Sequence, residues 1–273
     1  MKKLLAALLI TTVLPAVPAA AQVPGAECVL DVETADFSRL AGDAARLATL
    51  SDSTYAGSFL LQRTGQVQRM NVCAAPASLR RFMESLAQPP REAFRLLPAE
   101  AVATGNSAYP RPSYDGTLWN GRGVNAAFTA GAAFRAGPFS AAIAPVFAWS
   151  SNAEFELAPV AGSPYSPFGH PTYHGGIDAP QRFGSGSLTT LDVGNSYARV
   201  DVAGFGAGIS NQNIVWGPSL RNPLLLSASA PGFPHVFVET SRPVDVWIGR
   251  LDAQLLWGRL AESDYFDEPV RRW

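Results

Sequence analysis

The chain has 273 residues, with 21 Lys and Arg against 22 Asp and Glu and a formal net charge of -1. That balance excludes the strong basic excess that nucleic-acid phosphates demand of a partner. Charged residues are 16% of the chain and hydrophobic residues 47%, where ordinary globular domains carry about 25% charged residues; this suits alternating strands that face lipid, and a secreted β-sandwich almost as well.

The N-terminus reads as an export signal. Met1-Lys2-Lys3 is a short basic region, Leu4 to Val17 is apolar, and Ala19-Ala20-Ala21 supplies the small residues of a cleavage site, so Gln22 is the expected mature N-terminus. A membrane anchor fits less well, because the apolar run is shorter than the ~20 residues a spanning helix needs and Pro15 and Pro18 interrupt its end. The mature part keeps Cys28 and Cys73, for which one disulfide is the natural reading in an oxidising compartment. The histidines His170, His174 and His235 stand far from both cysteines, so no zinc-type cluster and no metal is expected.

From about Asp36 to Ala103 the pattern predicts helices. Leu40, Leu47 and Leu50 have helical spacing, and Leu79, Phe82, Met83 and Leu86 share one face of a second helix. Pro89-Pro90 ends that helix and Arg91 to Leu97 opens a short third one. Between the first two, Ser58–Arg63 and Gln66–Arg69 suggest a small hairpin around Gly65.

From Gly121 the period becomes two. Val124, Ala126, Phe128, Ala130, Ala132 and Phe134 form one face against Asn125, Ala127, Thr129, Gly131, Ala133 and Arg135. After the turn Gly137-Pro138, Phe139, Ala141, Ile143, Phe147 and Trp149 line one side of the next strand. Tyr197–Val202, Phe205–Ser210 and Trp247–Trp257 repeat the alternation. The first two segments have the length of a tilted membrane-spanning strand. A β-sandwich would place the polar face in solvent. Small residues on that face and Phe139, Trp149 and Trp257 at strand ends favour a barrel with aromatic girdles. Ala158 to Gly186 is a long Gly/Pro-rich connection, as expected where short turns lie at one end of a barrel and long loops at the other.

Separated motifs then carry a resemblance. Asp115-Gly116-Thr117-Leu118-Trp119-Asn120-Gly121-Arg122-Gly123, His174–Gly184, Asn211–Pro218, Leu226–His235 and Thr240–Asp245 resemble, in order, segments of the Wzi-type capsule-assembly family; Ser219 and Ser229 depart from its usual glycine and asparagine. The match runs from about Tyr109 to Phe266. The resemblance implies a signal peptide over 1–21, a helical periplasmic unit over 22–108, and the first part of an antiparallel outer-membrane β-barrel over 109–273. It implies a lectin-like protein of the outer membrane that holds capsular polysaccharide, with no catalysis and no cofactor. Outer-membrane lipid and the barrel-assembly machinery are its implied partners, and the protein is expected to be a monomer. An outer-membrane channel that binds no capsule is the alternative.

Candidate glycan-binding residues are Asn211, Gln212, Asn213, Trp216, His174 and Arg182, since aromatic rings give sugars an apolar face and amides give directional bonds. The three amides equally suit the task of satisfying backbone groups where a strand bends into the lumen. His170 and His174 are four apart, but Pro171 and Gly175-Gly176 oppose a helix that would bring them together on a metal. Arg182, Arg199, Arg250 and Arg259 either attract anions or are neutralised by Asp192, Asp201, Asp245 and Asp252. A closed bacterial barrel needs an even number of strands, at least about 8. The sequence offers about seven or eight short ones, so a truncated chain with an open edge, unable to insert or bind glycan alone, is expected.

Overall fold

The computed structural model describes residues 5–10, 29–33, 61–62, 67–71, 81, 93–110, 116–160, 165–173, 177–216, 226–241 and 244–266. The expected helices over 36–50 and 76–86 lie outside these residues apart from Arg81, as do the cleavage site and both cysteines.

Strands dominate the described chain. In order they are β1 (Leu5–Ile10), β2 (Val29–Glu33), β3 (Leu61–Gln62), β4 (Val67–Asn71), β5 (Phe94–Asn106) and β6 (Gly123–Ala136). There follow β7 (Phe139–Ile143), β8 (Val146–Ser150), β9 (Leu188–Asp192), β10 (Tyr197–Val202) and β11 (Phe205–Ser210). The last are β12 (Val215–Trp216), β13 (His235–Thr240), β14 (Val244–Val246), β15 (Gly249–Leu251) and β16 (Ala253–Gly258). Two expectations are corrected here. The third helix opening at Arg91 is instead the start of β5, a 13-residue strand along β6. Of the hairpin expected around Gly65, the described residues do not pair with each other: β3 pairs with β12 and β4 with β2.

Ten strands form one antiparallel sheet. β6 carries β5 on one edge and both β7 and β8 on the other, in one continuous register. Pro145, which has no N–H for the ladder, separates β7 from β8. On the neighbouring row, β9 and β10 are likewise two parts of one strand. Three residues between Ala142 and Val146 face four between Asp192 and Tyr197, a β-bulge in which the Ser196 hydroxyl accepts the Ala144 N–H at 2.9 Å. With these halves joined, the ten strands make eight rows, β5, β6, β7/β8, β9/β10, β11, β13, β16 and β1, each antiparallel to the next. β5 and β16 therefore run in the same direction. Among the described residues no ladder joins β5 to β16 or β1.

The connections differ at the two ends. Gly137-Pro138 and Ala203-Gly204 close tight turns at one end, and the Asp201 N–H bonds Pro138 O there at 2.9 Å. Ala203 and Gly204 both have positive φ, 51° and 87°, the twist that two-residue hairpins favour and that Gly adopts without strain. At the opposite end lie the long segments 107–122, 151–187 and 211–234.

The sheet is apolar outside and polar inside. Phe94, Phe128, Phe134, Phe139, Ile143, Phe147, Leu191, Val200, Ile209, Val236 and Val238 are exposed on the outward face. Asn125, Ser140, Ser150, Arg199, Ser210, Glu239 and Gln254 are buried on the inward one. A water-soluble sheet alternates the other way, and monomers rarely expose an apolar patch beyond a few hundred Å². The small apolar core, Ile214, Phe237 and Leu256 with Phe233 against them, sits on the inward face.

Candidate functional site

Two polar assemblies occupy the inward side. The first spans β10, β11, β13 and β16. Arg199 Nε donates to Asp201 Oδ2 at 2.8 Å and its Nη1 to Glu239 Oε1 at 2.9 Å, while its guanidinium lies 5.7 Å from the centre of the Phe237 ring. Gln254 Nε2 donates to the other Glu239 oxygen at 3.1 Å, and the Ser241 hydroxyl donates to Asp201. Thr240 Oγ1 donates to Asp252 Oδ1 at 2.7 Å. Arg199, Asp201, Glu239 and Gln254 meet because residues of one parity share a face, whereas Thr240 has the other parity, opposite Phe205. Both ions of the Arg199–Glu239 pair are removed from water, so each depends on the other for its charge.

Neutralised lumen charges were one of the two sequence readings, and Arg199 with Asp201 follows it. Among the described residues Arg182 pairs with Glu154, at 3.8 Å, rather than with an aspartate. Asp245 stands opposite Arg250 in the β14–β15 register. Asp192 accepts from Gly194 N at 2.6 Å and Asn211 Nδ2 at 3.3 Å. Glu239 escaped notice in the sequence although it continues the parity of His235 and Phe237, a usable signal. The Oε1 of Gln254 and the Oδ1 of Asn125 are buried acceptors that no protein donor reaches.

The second assembly gathers the long connections at their end of the sheet. Asn152, buried with a positive φ of 48°, donates its amide to the carbonyls of Phe183 at 2.9 Å and Gly186 at 2.8 Å and accepts from Trp119 Nε1 at 3.4 Å. Its own carbonyl takes two bonds from Arg182, whose Nη2 also reaches Ser185 O at 2.9 Å. The Ser150 hydroxyl donates to Trp119 O. Trp119 meets Phe183 edge-on at 4.8 Å, and Phe183 and Phe168 both meet Tyr265. Asp178 is tied to Ser263 by its N–H at 2.6 Å. Segments more than a hundred residues apart thus share one aromatic and amide cluster. Nothing in the sequence marks Asn152 as its hub.

The candidate glycan residues are spread over this end rather than collected. Asn211 Nδ2 donates to Gly194 O at 3.1 Å, buried Gln212 donates its Nε2 to Asn195 O at 3.4 Å, and Asn213 donates to Ala230 O at 3.3 Å. All three serve backbone carbonyls where the chain leaves β11. Arg182 is buried among carbonyls. Trp216 lies in β12, paired with Leu61. His174 lies outside the described residues, while His170 Nδ1 accepts the Tyr173 N–H at 2.9 Å within its own turn. His235 bonds Phe233 O at 2.7 Å and stacks on that ring. Among the described residues no group of His, Cys, Asp and Glu is placed to hold a metal ion.

No family model, no curated protein and no solved structure matches this chain.

Proposed function

We propose that this chain forms strands of an outer-membrane β-barrel that holds capsular polysaccharide at the cell surface and performs no chemistry on it. One observation carries the membrane part: the large sheet buries its polar side chains and exposes its apolar ones. Lipid is the solvent that rewards this pattern, and a barrel is the form in which strands satisfy their backbone groups there. Two bands of aromatics support it. Phe94, Phe134, Phe139 and Phe205 face outward at the tight-turn end, and Trp149 and Trp257 lie near the other. From Phe134 to Ala126 the strand rises about 27 Å, which at the usual tilt is about 20 Å of height, near the ~25 Å apolar band of such barrels.

The glycan part rests on the sequence motifs 115–123, 211–218 and 226–235, which belong to the long-connection end. Removing the gene from an encapsulated host and comparing retained with shed polysaccharide tests it; unchanged retention defeats the attachment reading. The polar inward face favours a channel as the second reading, and a sizeable, stable conductance across a planar bilayer would support that instead.

A further inference from the structure

The link between β13 and β16 is unlike the other tight-turn connections. Ser241 N–H bonds Gly204 O at 2.8 Å, so the Ala203-Gly204 turn ends level with Ser241. The chain then continues as a second hairpin, β14 against β15, with Val244 opposite Leu251, Asp245 opposite Arg250 and Val246 opposite Gly249. Three paired rows carry its tip about 10 Å past the neighbouring turn. At the tip stand Trp247, 97% exposed, and Ile248, 58% exposed. Directly opposite residues share a face. Val244 and Val246 thus share one face of the hairpin and Asp245 the other.

We infer that Trp247 and Ile248 form an interfacial anchor, seated in the lipid headgroup layer at the tight-turn end of the sheet. This rests on the membrane reading above. The Phe94, Phe134, Phe139 and Phe205 band marks the edge of the apolar zone on this side, and a tip about 10 Å further along tilted strands falls within the headgroup layer, which is roughly 5–8 Å deep on each side. Trp is the residue that gains most there, its ring lying among glycerol and headgroups while its N–H meets water. The tip is apolar and exposed, Val244 and Val246 are exposed beside it, and the hairpin lies between β13 and β16, which bear outward apolar residues, so lipid is the partner that fits.

The test uses the full chain reconstituted in phosphatidylethanolamine/phosphatidylglycerol vesicles. The emission of Trp247 is taken as the difference between the parent and Trp247→Phe, and that of Trp149 from Trp149→Phe. A nitroxide at headgroup level is expected to remove about half of the Trp247 emission, and acrylamide little of it. Trp149 is expected to respond to an acyl-chain nitroxide. If Trp149 answers to the lipid quenchers while Trp247 answers only to acrylamide, the anchor is overturned and the membrane reading stands. If neither responds to lipid quenchers, both fall.

Discussion

Arg199 on β10 reaches across β11 to bond the Glu239 carboxylate on β13 at 2.9 Å. The reach is open because β11 offers Gly206 at the crossing: a Cβ there would lie 2.6 Å from Arg199 Nη2 and 2.8 Å from Asp201 Oδ1. Burying this pair costs desolvation of both ions, and its geometry recovers that cost only while both are present.

Removing one partner is therefore worse than removing both. Arg199→Ala is expected to destabilise the folded sheet by about 3–5 kcal/mol by removing the cation beside the buried Glu239 carboxylate, whereas Arg199→Met with Glu239→Leu regains much of the loss. Urea unfolding in detergent, followed by tryptophan emission, measures both. Equal losses in the single and double variants would contradict the coupling.

Gly206→Val is expected to act on the same network from the opposite direction, by pushing the guanidinium off Asp201. The expected loss is about 1–3 kcal/mol, as for other overpacked sites. Combined with Arg199→Met it should cost less than alone, since the nearer of the two groups in collision is gone and Asp201 remains. Full additivity would show that the valine acts elsewhere.

Ile143 lies midway between Phe139 and Trp149 along one row and is 68% exposed. In a bilayer Ile143→Arg places a charge near the midplane and is expected to cost about 2–4 kcal/mol of folding stability in lipid. On a face bathed by water the same change is harmless and improves solubility. Folded yield in liposomes, read by heat-modifiable migration, separates the two.

Asn152 joins two demands, a left-handed backbone and an amide that bonds the 183–186 carbonyls. Asn152→Gly keeps the first and loses the second; Asn152→Ala loses both. Limited proteolysis within 151–187 is expected to accelerate in both variants, more in the alanine one, with the alanine costing roughly 1–3 kcal/mol. Parent-like cleavage in Asn152→Ala would remove its role as the hub of these connections.

Cys28 immediately precedes β2 and Cys73 follows β4 by two residues, and these strands are paired with Val29 opposite Asn71. The pairing of the strands next to the two cysteines is the ground for expecting a bridge between them. Mass spectrometry of unreduced peptides is expected to recover a Cys28–Cys73 cross-link.

Much of the sheet was legible because period two survives wherever the strand is regular. Val124–Ala136, Tyr197–Val202 and Phe205–Ser210 lie where their alternation puts them. β5 was not legible, for a physical reason: the register shifts between Leu97 and Glu100, so Leu96-Leu97-Pro98 breaks the alternation, and Arg91 to Leu97 reads as the opening of a short helix. Trp247–Trp257 was read as one strand, yet Trp247 and Ile248 form a turn and Asp252 interrupts the rest, because the hairpin link costs the chain a change of register. Of the candidate site, the amides of 211–213 bond backbone carbonyls, which is one of the two tasks their sequence suits. The Asn152 cluster was not, since contacts between residues 119, 152, 183 and 265 leave no local trace.

The shared direction of β5 and β16 has a consequence of parity. A ring in which every neighbour is antiparallel needs an even count of rows, and the seven from β5 to β16 are odd. The apolar run read as a leader makes the eighth by lying along β16. Without β1, a closed ring built on the other seven rows would need one parallel seam or an odd number of further rows. β1 thus sets the parity of the sheet as well as its width.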